Sequence, residues 1–163
     1  MGLYMEYNKG EIKGDATQKG FEQWINLHSF SWGMKRLFVK DTGRAYNREG
    51  AQAQVNQIIV TKEVDSSSGS LHQTAWTEHK GKPIVIAFVR TGDPGDAYLT
   101  FTLQNAVFEK FDVAGPRDQI ERPTEVMKIN FTEMEINTVV LKEDNVGEQP
   151  LILGYNIATG LGH

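Results

Sequence analysis

The chain is expected to be mainly β: two packed antiparallel sheets forming a β-barrel-like sandwich, with one short α-helix and a long extended arm. Three observations predict this. Short β-type runs separated by polar turns fill most of the sequence. Three of the longer runs carry an apolar set that changes faces partway along, as strands do when they serve two packed sheets or a barrel. Only one stretch has helix signals at both of its ends. At 163 residues, one domain spanning 1–163 is expected, long enough to build a core without metals or disulfides.

Leu3–Tyr7 is the first expected strand, followed by the turn-rich stretch Asn8–Gly20. Glu22–Met34 reads as one long second strand. Ile25 and Leu27 share one face of it, whereas Phe30 and Trp32 share the other, because side chains alternate along a strand. One face is then a core, and the other is expected to meet a second surface. Val55–Val64 is a third strand and Pro83–Thr91 a fourth, whose β-branched richness marks it as central. Asp93-Pro94-Gly95-Asp96 is a turn, since Pro fixes φ and Gly permits positive φ.

Tyr98–Gln104 alternates cleanly, with Leu99, Phe101 and Leu103 inward. The alternation slips near Asn105-Ala106, and Val107–Val113 continues in a changed phase, so a bulge is expected there. Val126–Val140 behaves alike: Met127, Ile129 and Phe131 share one face, then Met134 and Ile136 the other. Leu151–Ile157 is a short last strand. The helix is expected over Leu71–His79, with Ser70 as N-cap, Gln73 reaching back in a capping box, and Gly81 as the C-terminal stop. Leu71, Ala75 and Trp76 would form its narrow apolar stripe.

The stretch 35–54 breaks the pattern. It carries Lys35, Arg36, Lys40, Arg44 and Arg48 beside Leu37, Phe38, Val39 and Tyr46. A structureless connection of this length is unusual in a compact domain, and its apolar groups argue against simple disorder. It reads as an extended arm or hairpin that docks on another subunit.

Composition narrows the function. A net charge of −4 offers no general attraction to nucleic acid or to an anionic membrane. The chain has no cysteine, which excludes disulfides, thiol catalysis and thiolate metal sites. The N-terminal residues show no basic region followed by a long apolar run, so no cleavable signal is expected. The longest apolar run, Ile84–Val89, is far too short to span a bilayer.

Catalytic constellations are missing as well. His72 and His79 lie on the expected helix without metal-ligand spacing, and surface or capping roles suit them better. His28 reads as a satisfied structural histidine. The carboxylate pairs Glu133/Glu135 and Glu143/Asp144 fit solvated positions, and the serine run Ser66–Ser70 is a turn into the helix rather than a nucleophile elbow or a phosphate loop. No enzymatic activity, cofactor or metal is expected. Strands with two occupied faces and an apolar arm instead point to assembly, because exposed strand edges otherwise invite aggregation. A repeated head-to-tail contact closes into a ring when the rotation allows it.

Several segments, in order, resemble the haemolysin co-regulated protein family, Hcp, the tube subunits of bacterial type VI secretion systems. They are Gly10–Thr17, Gly20–Met34 with its Ser29-Phe30-Ser31-Trp32-Gly33, Ile59–Asp65, Tyr98–Val107, Arg122-Pro123-Thr124-Glu125 and Leu153–Ile157. The arm departs from the family pattern, being basic where many relatives are Gly/Ser-rich, and the helix lacks the cysteine-containing pattern common in relatives.

The resemblance implies a non-enzymatic structural subunit that assembles into hexameric rings. These stack into a hollow conduit for effector delivery, and the subunit is itself exported. A ring-shaped effector carrier or chaperone is the alternative. The implied partners are further copies of the chain, the sheath and spike proteins of the secretion system, and small effector proteins, with no nucleic acid and no direct membrane insertion. The implied location is the bacterial cytoplasm during assembly, then the exterior without a cleaved signal peptide. Within this reading Phe38, Val39, Asp41, Arg44 and Tyr46 of the arm are the candidate ring-interface residues. Ser29 and Ser31 are the candidate lumen-facing residues, opposed by parity to Phe30 and Trp32.

Overall fold

The computed structural model describes residues 1–36, 53–117, 121–139, 150–157 and 161–162. Twelve strands and one α-helix follow in order: β1 (Gly2–Tyr7), β2 (Ile25–Asn26), β3 (Ser29–Ser31), β4 (Met34–Arg36), β5 (Ala53–Val55), β6 (Ile58–Glu63), α1 (Ser68–Thr77), β7 (Lys82–Val89), β8 (Ala97–Ala114), β9 (Thr124–Asn130), β10 (Glu133–Thr138), β11 (Leu151–Asn156) and β12 (Leu161–Gly162). The architecture is mainly β, as expected, with two antiparallel sheets and a single α-helix among the described residues.

One long strand belongs to both sheets. The first half of β8 lies between β7 and β10 in a sheet ordered β12-β11-β10-β8-β7-β1-β2. Its second half, from Val107, pairs with β9 in a second sheet ordered β3-β6-β9-β8. The transition sits where the alternation slips. Asn105 takes a left-handed φ of 56°, and register shifts fall between Lys82 and Ile84 on β7 and between Phe108 and Lys110 on β8. Extra residues of this kind bend and coil a strand. Neither sheet closes on itself among the described residues, so the arrangement is a sandwich sharing a coiled strand rather than a closed barrel.

The other two face-swapping runs obey the same rule. Glu22–Met34 is not one strand but β2, β3 and β4. Ile25 pairs with Met5 in the first sheet, and Ser29–Ser31 pairs with Ile59–Thr61 in the second. Between them the chain crosses from sheet to sheet, with the His28 N–H donating to the Thr61 carbonyl at 2.7 Å. Ile25 and Leu27 are buried, and Phe30 and Trp32 pack against the same core. Both apolar sets thus face one interior, because the sheet changed beneath them. Val126–Val140 likewise divides into β9 and β10, which pair in different sheets, and Phe131 and Met134 flank the crossing, both buried. Val55–Val64 also breaks, into β5 and β6.

The helix is displaced from its expected position. It begins at Ser68 behind Ser67, which makes no side-chain capping bond, and ends at Thr77. Leu71 is fully buried, but Trp76 is 78% exposed and so lies off the apolar stripe. Gly81 does not stop the helix, since Glu78 is already extended. Its role is close approach: a Cβ there would stand 2.3 Å from the Asn105 carbonyl carbon. No helix among the described residues is long and apolar enough to cross a membrane.

Candidate functional site

The second sheet presents an outer face of small and polar groups. Phe30 points inward from β3, so Ser29 and Ser31 point outward, and both are exposed. Cross-strand register continues each into a row. Ser29 aligns with Thr61, Val126 and Asp112, and Ser31 aligns with Ile59, Lys128 and Lys110. The hydroxyls of Ser29 and Thr61 lie 2.6 Å apart, and Lys110 pairs with Asp112 at 2.9 Å. The interface candidates Phe38, Val39, Asp41, Arg44 and Tyr46 lie outside the described residues.

The same sheet has two unpaired edges among the described residues. β3 pairs with β6 on one side only. The far half of β8, Val107–Ala114, pairs with β9 on one side only. Such edges present backbone donors and acceptors that another strand can meet.

Beside β3 lies an apolar groove of about 140 Å³, lined by Trp32, Met34, Val55, Ile136, Leu153 and Tyr155 among others. It opens where the β4–β5 ribbon departs from β10 and β11. Two of its apolar lining residues are half exposed, Met34 at 53% and Leu153 at 55%. The Trp32 indole N–H has no acceptor among the described residues.

At the opposite edge, α1 is fixed to the sandwich by a buried charge cluster. Lys62 Nζ is fully buried and meets Glu125 Oε2 at 2.8 Å, Asp65 Oδ1 at 2.8 Å, the Glu63 carbonyl at 2.7 Å and Ser68 Oγ at 3.1 Å. The Ser68 hydroxyl also donates to Glu125 Oε2 at 2.9 Å. His72 Nε2 lies 3.1 Å from Glu125 Oε1, and its ring meets Phe111 edge-on at 4.2 Å. Hydrogen bonds from the Ser66 hydroxyl and N–H hold the Asp15 carboxyl below its usual range, tying the approach to the helix to the turn-rich stretch. His72 is thus a partly exposed link between α1 and β9. His28 Nε2 lies 3.2 Å from Glu63 Oε1 at the surface. Among the described residues no three His, Asp or Glu side chains gather as metal ligands would.

Sequence reasoning missed the cluster, the groove and the exposure of Trp76. The cluster left a readable signal, because Lys62 continues the buried parity of Ile58 and Val60, and Glu125 that of Met127 and Ile129. The groove left none, since it is made by strands distant in sequence.

A sequence profile described as "Type VI secretion system effector, Hcp" matches residues 4–137. No curated protein sequence matches the chain. The fold is similar to the "Structure of a type six secretion system protein", with TM-score 0.88, 16% identity and 99% of each chain covered. It is also similar to Hcp1 from Salmonella typhimurium, with TM-score 0.74, 13% identity and 100% of each chain covered. Hcp3 from Pseudomonas aeruginosa, a secreted protein, gives TM-score 0.58 and 15% identity, covering 90% of this chain and 96% of that one.

Proposed function

Because this chain belongs to the Hcp family of type VI secretion proteins, we propose that it is a structural subunit that assembles into hexameric rings. The rings stack into a hollow conduit for effector delivery, and the subunit leaves the cell with its cargo. Further copies of the chain, the sheath, the spike and small effectors are its partners. The observation that carries this reading is the pair of edges on the second sheet left unpaired among the described residues, β3 and the far half of β8. They are different strands at opposite ends of one sheet, so edge-to-edge pairing between copies is head-to-tail, the contact type that closes a ring. A continuous wall of such sheets carries Ser29 and Ser31 on one face, and small hydroxyls there let a cargo surface approach closely. In this arrangement that face lines the lumen.

Light scattering and negative-stain imaging over a wide concentration range test the proposal. Rings are expected. Monomers at every concentration would overturn it, and rings that hold cargo yet never stack would favour the carrier reading instead.

A further inference from the structure

Besides Met1, Leu151, Ile152 and Ile157, the large apolar side chains exposed among the described residues form two groups. One is concave: the groove beside β3, with Met34 and Leu153 in its lining. The other is convex: Trp76 on α1, 78% exposed, and Val113 on the far half of β8, 49% exposed. Trp76 stands next to His72 at 6.1 Å between ring centroids, and His72 packs on Phe111, so this knob rises beside the β8 edge. We propose that Trp76 of one copy seats in the groove of the next, a reading that rests on the ring assembly proposed above.

Three observations select a second copy as the occupant. The first is continuity. The groove adjoins edge β3 and Trp76 adjoins edge β8, both on the core side of the second sheet, where Trp32 and Phe111 pack. Pairing those edges between copies therefore brings the knob of one molecule towards the groove of the other. The second is charge. No residue lining the groove is ionisable except Tyr155, and α1 contains no Asp, Glu, Lys or Arg, so His72, already partly buried against Glu125, is the one titratable group of α1 beside Trp76. The third is size. The groove holds about 140 Å³, and since an apolar cavity of roughly 150 Å³ takes benzene, it has room for one ring of the indole. A tryptophan anchored in an apolar pocket is the common form of an interface hot spot.

A head-to-tail contact can be tested by complementation, using the full chain. Trp76→Ala removes the knob and Leu153→Glu spoils the groove, both at exposed positions where folding is little affected; far-ultraviolet circular dichroism and melting confirm this. Each variant alone is expected to require at least about ten-fold higher concentration than the wild type to form rings. Mixed, the intact groove of the first and the intact knob of the second should join into one-to-one pairs that cannot extend, seen by native mass spectrometry. Wild-type-like rings from Trp76→Ala would overturn the inference while leaving the ring reading standing. So would failure of the mixture to pair, or loss of rings in Leu153→Glu while Trp76→Ala keeps them, which would give the groove to another segment. A wild type that never forms rings would end both.

Discussion

Lys62 is the residue on which the interior depends most heavily for electrostatic balance. It lies fully buried between the carboxylates of Asp65 and Glu125. Removing one member of a buried pair strands the other without solvent, at a cost of roughly 3–5 kcal/mol. Lys62→Met is therefore expected to destabilise the fold by about that amount. Glu125→Gln should cost less in the Lys62→Met background than in the wild type, since the charge it removes is already unpaired. Urea melts of both single variants and the double variant measure the coupling, and simple additivity would show that the pair does not interact. Tyr7 supplies a pH dependence. Burial first, then the carboxylates of Glu78 and Glu11, push its phenol from 10.0 up to about 12. In that window the unfolded chain has already released a proton that the folded chain retains, so stability falls as pH rises from about 10 to about 12. The expected loss is on the order of 2–3 kcal/mol, and Tyr7→Phe should lack it. Parallel stability curves for the two proteins from about pH 9 to about pH 12 would assign the alkaline loss to another group.

At the scale of elements, the governing event is the crossing of the chain between sheets. The sequence displayed every crossing as a change of apolar parity, at Leu27–Phe30, at Asn105 and at Phe131–Met134. Parity alone cannot say whether a strand has gained a second buried face or has moved to a second sheet around the same core, because both place apolar groups on alternate sides. Pairing partners decide it, and these are distant in sequence: Ile25 finds Met5, whereas Phe30 finds Val60. The bulge at Asn105 was legible because nothing but an inserted residue moves the alternation within an otherwise continuous strand. The helix start was misplaced because Ser67, Ser68 and Ser70 are chemically equivalent as caps. The buried cluster around Lys62, not local preference, selects among them.

The Asn105 crossing also yields a prediction. Gly81 passes so near the Asn105 backbone that a methyl group has no room. Gly81→Ala should cost about 2–3 kcal/mol, the upper part of the range for overpacking. Asn105, with its φ of 56°, should accept glycine within about 1 kcal/mol and lose about 1–2 kcal/mol as Asn105→Val. Thermal melts of the three variants check this, and a neutral Gly81→Ala would mean that β7 and β8 can slide apart at the bulge.

For the whole molecule, two unlike edges allow a head-to-tail contact, which gives a closed count of subunits only when its rotation closes the ring. If β3 of one copy pairs with the far half of β8 in the next, residues on these strands come within reach of a disulfide, which needs Cα atoms closer than about 7 Å. The chain has no cysteine, so introduced thiols report without background. Ser31→Cys can be combined in turn with Glu109→Cys, Lys110→Cys or Asp112→Cys, stepping along the β8 edge to find the register. One combination is expected to give, after mild oxidation, a non-reducing ladder of covalent multimers that ends at the hexamer. Its position on β8 would define how the two edges align. A two-fold contact would pair like edges, so Ser31→Cys alone would give a dimer and no ladder. An open filament would give a ladder with no last rung. The same gel therefore separates a closed ring, an isologous dimer and an unclosed helix, three assemblies that one exposed edge on its own cannot distinguish.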